Sequence, residues 1–180
     1  MEKKLEEIMV LQISVRLARP QDAEQMHHIH VNSVRQLCAI DYTKEQIEAW
    51  VGHLNPETLR QYIINGARYE VQFVAEDENG TIIGFSAFDK NGDINAVYVH
   101  PDYTRQGVGK QLLKAVENEA LAHNFTKLQI SASITALPFY KANGYKFIKY
   151  SSHRLRSNVK IPCALLEKTL ATDVTDVTDG

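Results

Sequence analysis

A strand that runs straight into a helix through two glycines is the feature that most constrains this chain. The stretch HPDYTRQGVGKQLL occupies residues 100–113. To its left stands INAVYV, which is apolar and rich in β-branched and aromatic residues. To its right, KQLLKAVENEALAH repeats its apolar residues at helical spacing. A helix leaves its first four N–H groups without partners, and its dipole is positive at that end. A phosphate binds there through backbone donors when no Cβ blocks the approach. Gly107 and Gly109 remove those side chains, and Arg105 and Lys110 add positive charge. The run Arg105, Gln106, Gly107, Val108, Gly109, Lys110 is therefore expected to cradle a phosphate or pyrophosphate. Two better-known glycine motifs do not fit. The dinucleotide fingerprint needs a third glycine where Leu112 stands. A P-loop needs glycine at Thr104 and Ser or Thr at Gln111. A tight turn without a ligand is the remaining alternative.

The rest of the chain supplies a frame for this junction. QISVRLA alternates as a first strand before Pro20. A helix follows, with Asp22 and Glu24 near its start and Met26, Ile29, Val34 and Leu37 as an approximate stripe. Thr43 and Asn55 are caps for two shorter helices, the second with Pro56 in its first turn and Gly66 after its end. Three strands come next in close order: YEVQFVAED, TIIGFSAFDK and INAVYVH. ENG and NGD separate them, and NGD is a hairpin signal. After the glycine junction and its helix come the strand TKLQISAS, the short helix TALPFYKAN, and the strands GYKFIKYSS and VKIPCALLEKTL. An antiparallel meander joined to one α/β crossover predicts a single α/β domain. Its sheet is expected to be mixed, mostly antiparallel, of about seven strands, with helices on both faces. The domain is expected over residues 13–170, after an N-terminal extension over 1–12. The acidic ATDVTDVTDG, residues 171–180, is expected to be a disordered tail.

A net charge of −2 gives no reason to expect nucleic acid as the partner. No apolar run is long enough to span a membrane, and the start lacks a signal-peptide pattern. A cytoplasmic location follows by default, with Cys38 and Cys163 as buried reduced thiols. His27 and His30 stand near one another in MHHIH, but no nearby Cys or carboxylate completes a metal site, so no metal is expected.

Two phrases together resemble the GNAT superfamily of acyl-CoA-dependent N-acetyltransferases. The family's phosphate motif reads Arg/Gln-x-x-Gly-x-Gly/Ala, and TRQGVG after Pro101 resembles it with Thr104 at the first position. The family's later motif reads Asn-x-x-Ala-x-x-Phe-Tyr and then Gly-Phe. Here Ser133, Ala136, Phe139, Tyr140 and Gly144-Tyr145 stand in those places. VRLARPQDAEQM also resembles the family's opening strand and helix.

The resemblance implies acetyl-CoA as the acyl donor, lying between the meander's last strand and the strand from Lys127. It implies main-chain contacts from Val97 and Val99 to pantetheine, N–H groups of Gln106 to Lys110 on the pyrophosphate, and a polar contact at Ser133. Tyr140 matches the tyrosine that protonates the leaving thiolate. The acceptor implied is a primary amine of a small molecule, attacking the thioester directly. A peptide amine and a non-catalytic acyl-CoA sensor are the alternatives. The first helices of this family usually build the acceptor pocket, so Arg35, Tyr42 and Trp50 are candidates to line it. An alkylammonium must lose a proton before it attacks. Glu70, Glu76, Asp93 and His100 are the candidate bases, with a water chain as another route. Family members also often pair through sheet edges, which makes a homodimer an open expectation.

Overall fold

A computed structural model describes residues 10–66 and 70–171. Four antiparallel strands open the sheet: β1 (Ser14–Leu17), β2 (Glu70–Glu76), β3 (Ile82–Asp89) and β4 (Asp93–Val99). Between β1 and β2 lie α1 (Ala23–Leu37), α2 (Lys44–Val51) and α3 (Pro56–Asn65). After β4 come α4 (Val108–Ala122), β5 (Lys127–Ser133), α5 (Leu137–Ala142), β6 (Lys146–Arg154) and β7 (Lys160–Thr169). The sheet order is β1-β2-β3-β4-β5-β7-β6, and only β4 and β5 are parallel. This is the mixed seven-stranded sheet expected from the meander and the crossover. The caps fall where the sequence places them: Thr43 Oγ1 accepts from the Gln46 N–H, and Asn55 Oδ1 from the Thr58 N–H.

Alternation sends the strand residues to two different cores. Phe73, Ala75, Phe88, Leu128 and Ile130 pack on α4 through Val108, Leu112, Leu113, Val116 and Ala120. Val74, Ile82 and Phe85 pack on the opposite face against Met26, Ile29 and Leu59. Leu11 also packs against the α4 core, so it forms part of the packed body although it falls in the expected extension. Residues 1–9 of that extension and 172–180 of the tail lie outside the described residues. Cys38 and Cys163 are buried and unbridged.

Gly84 sets how closely α4 can approach. A Cβ there would lie 2.9 Å from Leu112 Cδ1, 2.9 Å from the Tyr98 carbonyl and 3.1 Å from Val108 Cγ1. Beside it, the buried Ser86 hydroxyl donates to the Leu112 carbonyl at 3.3 Å. At the far edge, Arg16 ties β1 to β2 and to the entry of α1. Its guanidinium donates to Asp22 Oδ2 at 2.7 Å and to Glu76 Oε1 at 2.6 Å. Burial alone would raise the Asp22 pKa, but Arg16 and the Arg19 N–H outweigh it and hold the carboxyl below its ordinary value.

Two outcomes follow from this packing. Gly84→Ala should destabilise the fold by about 1–3 kcal/mol, because backbone as well as side chains must shift; urea denaturation measures it. Asp22→Asn should cost about 3 kcal/mol. Because the folded pKa of Asp22 is depressed, its contribution is fully present above about pH 4 and is lost as pH falls below that. A stability difference between the parent and Asp22→Asn that stayed constant from pH 7 to pH 3 would refute this.

Candidate active site

The site is built where the sheet comes apart. β4 and β5 share only two register pairs, Asp93 with Gln129 and Ile94 with Ile130. Beyond them β5 pairs with β7 along its whole length, while β4 stays with β3. A V-shaped gap opens between the two central strands. The β3–β4 register shifts between Ala87 and Phe88, because Ala87 faces Ala96 while Phe88 faces Ile94, leaving Asn95 as a bulge at the start of the gap. The His100 N–H donates to the Ile83 carbonyl at 2.8 Å, so the main-chain groups of Tyr98 and His100 face β3. By alternation, those of Val97 and Val99 face the gap.

The strand delivers the chain to α4 at the mouth of this gap. Pro101–Tyr103 forms a 3-10 turn, and the Thr104 hydroxyl donates to the Pro101 carbonyl at 3.0 Å. Arg105 and Gly107 both adopt left-handed backbone, with φ of 63° and 87°. Gln111 is the first residue to donate back into the helix, to the Gly107 carbonyl at 3.1 Å. The N–H groups of Gln106 to Lys110 have no hydrogen-bond acceptor among the described residues. Arg105, Gln106 and Lys110 are exposed, and Val108 is buried in the core beneath them.

The two glycines differ in purpose. A Cβ at Gly107 would meet nothing within 4 Å, and its requirement is the positive φ. A Cβ at Gly109 would lie 3.2 Å from the Phe139 ring. Gly109 therefore lets α5 come close to the start of α4, rather than simply clearing space for a ligand. This close contact sets the position of Tyr140. Tyr140 is 3% exposed and lies edge-on to both Phe139 and Tyr145. Burial, with a smaller effect of Tyr98, pushes its pKa far up, so the hydroxyl stays protonated. Ser133 Oγ accepts from the Ala136 N–H at 3.0 Å and steadies the turn into α5.

Behind the gap lies a cavity of about 660 Å³ on the α1–α3 face of the sheet. Tyr98, Phe85, Ala87 and Ala96 line its strand side, His30 and Trp50 its helix side, and Ser131 and Ser133 the β5 side. Of Arg35, Tyr42 and Trp50, only Trp50 lines it. Arg35 is exposed and paired with Glu48 at 2.8 Å. Tyr42 is buried as a brace: its hydroxyl donates to the Pro162 carbonyl at 2.7 Å and accepts from the Ile134 N–H at 2.8 Å. Of the candidate bases, Glu70 and Asp93 line the cavity. Glu76 is engaged by Arg16, and His100 Nδ1 accepts from the Asp102 N–H, both outside the cavity lining. Burial raises the pKa of Glu70, and burial and Asp89 raise that of Asp93. His27 Nε2 meets the Leu54 carbonyl at 3.0 Å, and no group of three metal-ligating side chains occurs among the described residues. No helix among the described residues is long and apolar enough to cross a membrane.

Known proteins match this arrangement. The acetyltransferase (GNAT) domain model matches residues 38–160. YafP, an N-acetyltransferase of Escherichia coli K12, is 28% identical over 142 residues, covering 76% of this chain and 83% of that one. A spermidine N(1)-acetyltransferase of Thermoplasma acidophilum is 22% identical over 144 residues, covering 76% and 89%. A GCN5-related N-acetyltransferase from Rhodopseudomonas palustris superposes with a TM-score of 0.81 at 29% identity, covering 90% of this chain and 99% of that one. The chain belongs to the GNAT family and is an acetyl-CoA-dependent N-acetyltransferase.

Proposed function

We propose that this enzyme moves the acetyl group of acetyl-CoA to a primary amine of a small molecule, by direct attack within a ternary complex. One observation carries the reading. The exposed main-chain edge of Val97 and Val99 runs into the partnerless N–H groups of Gln106 to Lys110, and the same gap opens onto the cavity under α1 to α3. An extended pantetheine arm would pair with that edge as an added strand does. The N–H groups of Gln106 to Lys110 would hold the pyrophosphate, with Arg105 and Lys110 adding charge. The Ser133 hydroxyl keeps a free proton for a contact from the β5 wall. These contacts serve to fix the thioester rather than to react with it.

Bound acetyl-CoA supplies the thioester carbon that the amine attacks. A carboxylate on the cavity wall, Glu70 or Asp93, takes the proton that the alkylammonium must lose. Their raised pKa values bring them nearer to neutral pH as proton acceptors. A main-chain N–H around Val97 stabilises charge on the carbonyl oxygen. As the C–N bond forms and the C–S bond breaks, Tyr140 gives its hydroxyl proton to the leaving thiolate and recovers one from solvent. The likeness to a spermidine acetyltransferase supports a small amine over a peptide.

Coenzyme A should raise the Tm of the purified protein, as a ligand of the folded state does. Gly107→Val should reduce that rise, because a β-branched residue resists the left-handed backbone there. With acetyl-CoA and a panel of primary amines, free thiol should appear. Tyr140→Phe should lower kcat about 100-fold while coenzyme A binding persists. Unchanged turnover in Tyr140→Phe would remove that tyrosine from the proton step. Absence of thiol release with every amine, despite coenzyme A binding, would favour an acyl-CoA sensor.

A further inference from the structure

A side chain from a distant part of the sequence stands in line with the ladder between β5 and β7. The register of these strands ends at Ser133 with Cys163. The Leu170 N–H donates to the Thr126 carbonyl at 2.8 Å, so by antiparallel alternation Ile134 and Pro162 form the next hydrogen-bonding pair. The Tyr42 hydroxyl stands at that rung. It accepts from the Ile134 N–H at 2.8 Å and donates to the Pro162 carbonyl at 2.7 Å. The O–H and the lone pairs of a hydroxyl point in diverging directions, so two bonds in series hold the strand ends further apart than one direct rung. Two residues back along β7, Gln46 Nε2 donates to the Lys160 carbonyl at 3.1 Å. The start of α2 thus takes over the edge of β7 that β5 leaves.

The tyrosine that makes this rung is itself held firmly. Tyr42 is buried in an apolar cluster with Ile47, Val51, Leu155 and Ile161, and its ring stands edge-on to Trp50 at 5.4 Å. Burial pushes its pKa up to about 12, so the hydroxyl keeps the proton that it donates to Pro162. The residue before it holds the residue after Ile134: Thr135 Oγ1 donates to Asp41 Oδ2 at 2.7 Å. The turn gripped in this way leads directly into α5. The Ala136 N–H donates to the Ser133 carbonyl at 3.1 Å and to Ser133 Oγ at 3.0 Å. The Tyr140 N–H then donates to the Ala136 carbonyl at 3.2 Å. A continuous chain of hydrogen bonds therefore joins Tyr42 and Asp41 to the backbone of Tyr140.

Resting on the acetyl-transfer reading above, we infer that Tyr42 and Asp41 are positioning residues for the reaction: they clasp the β5–α5 turn and through it aim Tyr140 at the leaving thiolate. The helix α5 has only six residues, and Phe139 against Gly109 fixes it on one side. The clasp supplies the second anchor. Without the Tyr42 hydroxyl, Ile134 and Pro162 close their rung directly, and the end of β5 moves toward β7 with α5 behind it. The edge contact with Trp50, which lines the cavity, ties the acceptor side of the site to the same clasp.

Tyr42→Phe removes only the hydroxyl and keeps the ring, and Thr135→Val removes only the bond to Asp41. Thiol release on the full chain, with the fastest amine of the panel, should show kcat lowered about tenfold in Tyr42→Phe and about threefold in Thr135→Val, while KM for amine and acetyl-CoA stays within about twofold. Each substitution, added to Tyr140→Phe, should lower kcat by less than about twofold further, because no acid remains to be aimed. Full additivity, or parental kcat in both single variants, overturns the proposal. A coenzyme A-induced rise in Tm shows that a variant is folded, and if Tyr42→Phe does not fold, Thr135→Val decides by the same cycle. A second measurement needs no turnover. With ring-¹³C tyrosine and bound coenzyme A, the NMR signal of Tyr140, assigned by its loss in Tyr140→Phe, should shift in both variants, and an unmoved signal overturns the clasp. A protein in which that signal moves but no thiol is released keeps the clasp and loses the transferase reaction.

Discussion

Two parallel strands that separate after two residue pairs govern the rest of this protein. A parallel ladder between β4 and β5 would have closed the sheet and filled its hydrogen-bonding capacity. Here β5 is committed to β7 over all seven of its residues, from Lys127 to Ser133, and β4 is committed to β3. The far end of β5 is held away by Tyr42, which bonds both the Ile134 N–H and the Pro162 carbonyl. The open main-chain edge is thus kept open by stronger pairing elsewhere. A sheet edge inside a protein is a template for another extended chain, and the pantetheine arm of the acyl donor has that extended form.

The two faces of the sheet are specialised by what their strands carry. On one face, Gly84 and the Ser86 hydroxyl draw α4 down until its first turn sits at the mouth of the gap. Gly109 then lets Phe139 approach, and Tyr140 follows from that contact. Donor grip and leaving-group chemistry therefore share one packed unit. On the other face, alanines at 87 and 96 stand between Gln72 and the gap, and the helices α1 to α3 roof a cavity rather than a solid core. Dense packing positions the donor, and a packing deficit makes room for the acceptor.

Much of this was legible before any coordinates. The caps at Thr43 and Asn55, the hairpin at NGD and the helix stripe of Leu112, Leu113 and Val116 are local signals, and each appears where local physics puts it. The glycine junction was legible as a junction, but its two glycines looked alike. Only the approach of Phe139, thirty residues further on, separates the role of Gly109 from that of Gly107. Gly84 gave no signal at all. A glycine within a strand carries no mark of what lies opposite it, and it acquires meaning from partners on other elements. The same holds for the acidic residues: Glu70 and Glu76 are equivalent in sequence, yet one lines the cavity and the other is held by Arg16.

By itself, the sequence determined the order of elements, the class of the sheet and the chemistry of the strand-to-helix turn, because helix periodicity, strand alternation and turn preference act over a few neighbouring residues. Tertiary structure alone decided which strands part, which carboxylates face the acceptor space and which tyrosine is buried against Phe139. Those outcomes depend on competition among long-range pairings, where the bonds that β5 makes with β7 determine what β4 is left to offer.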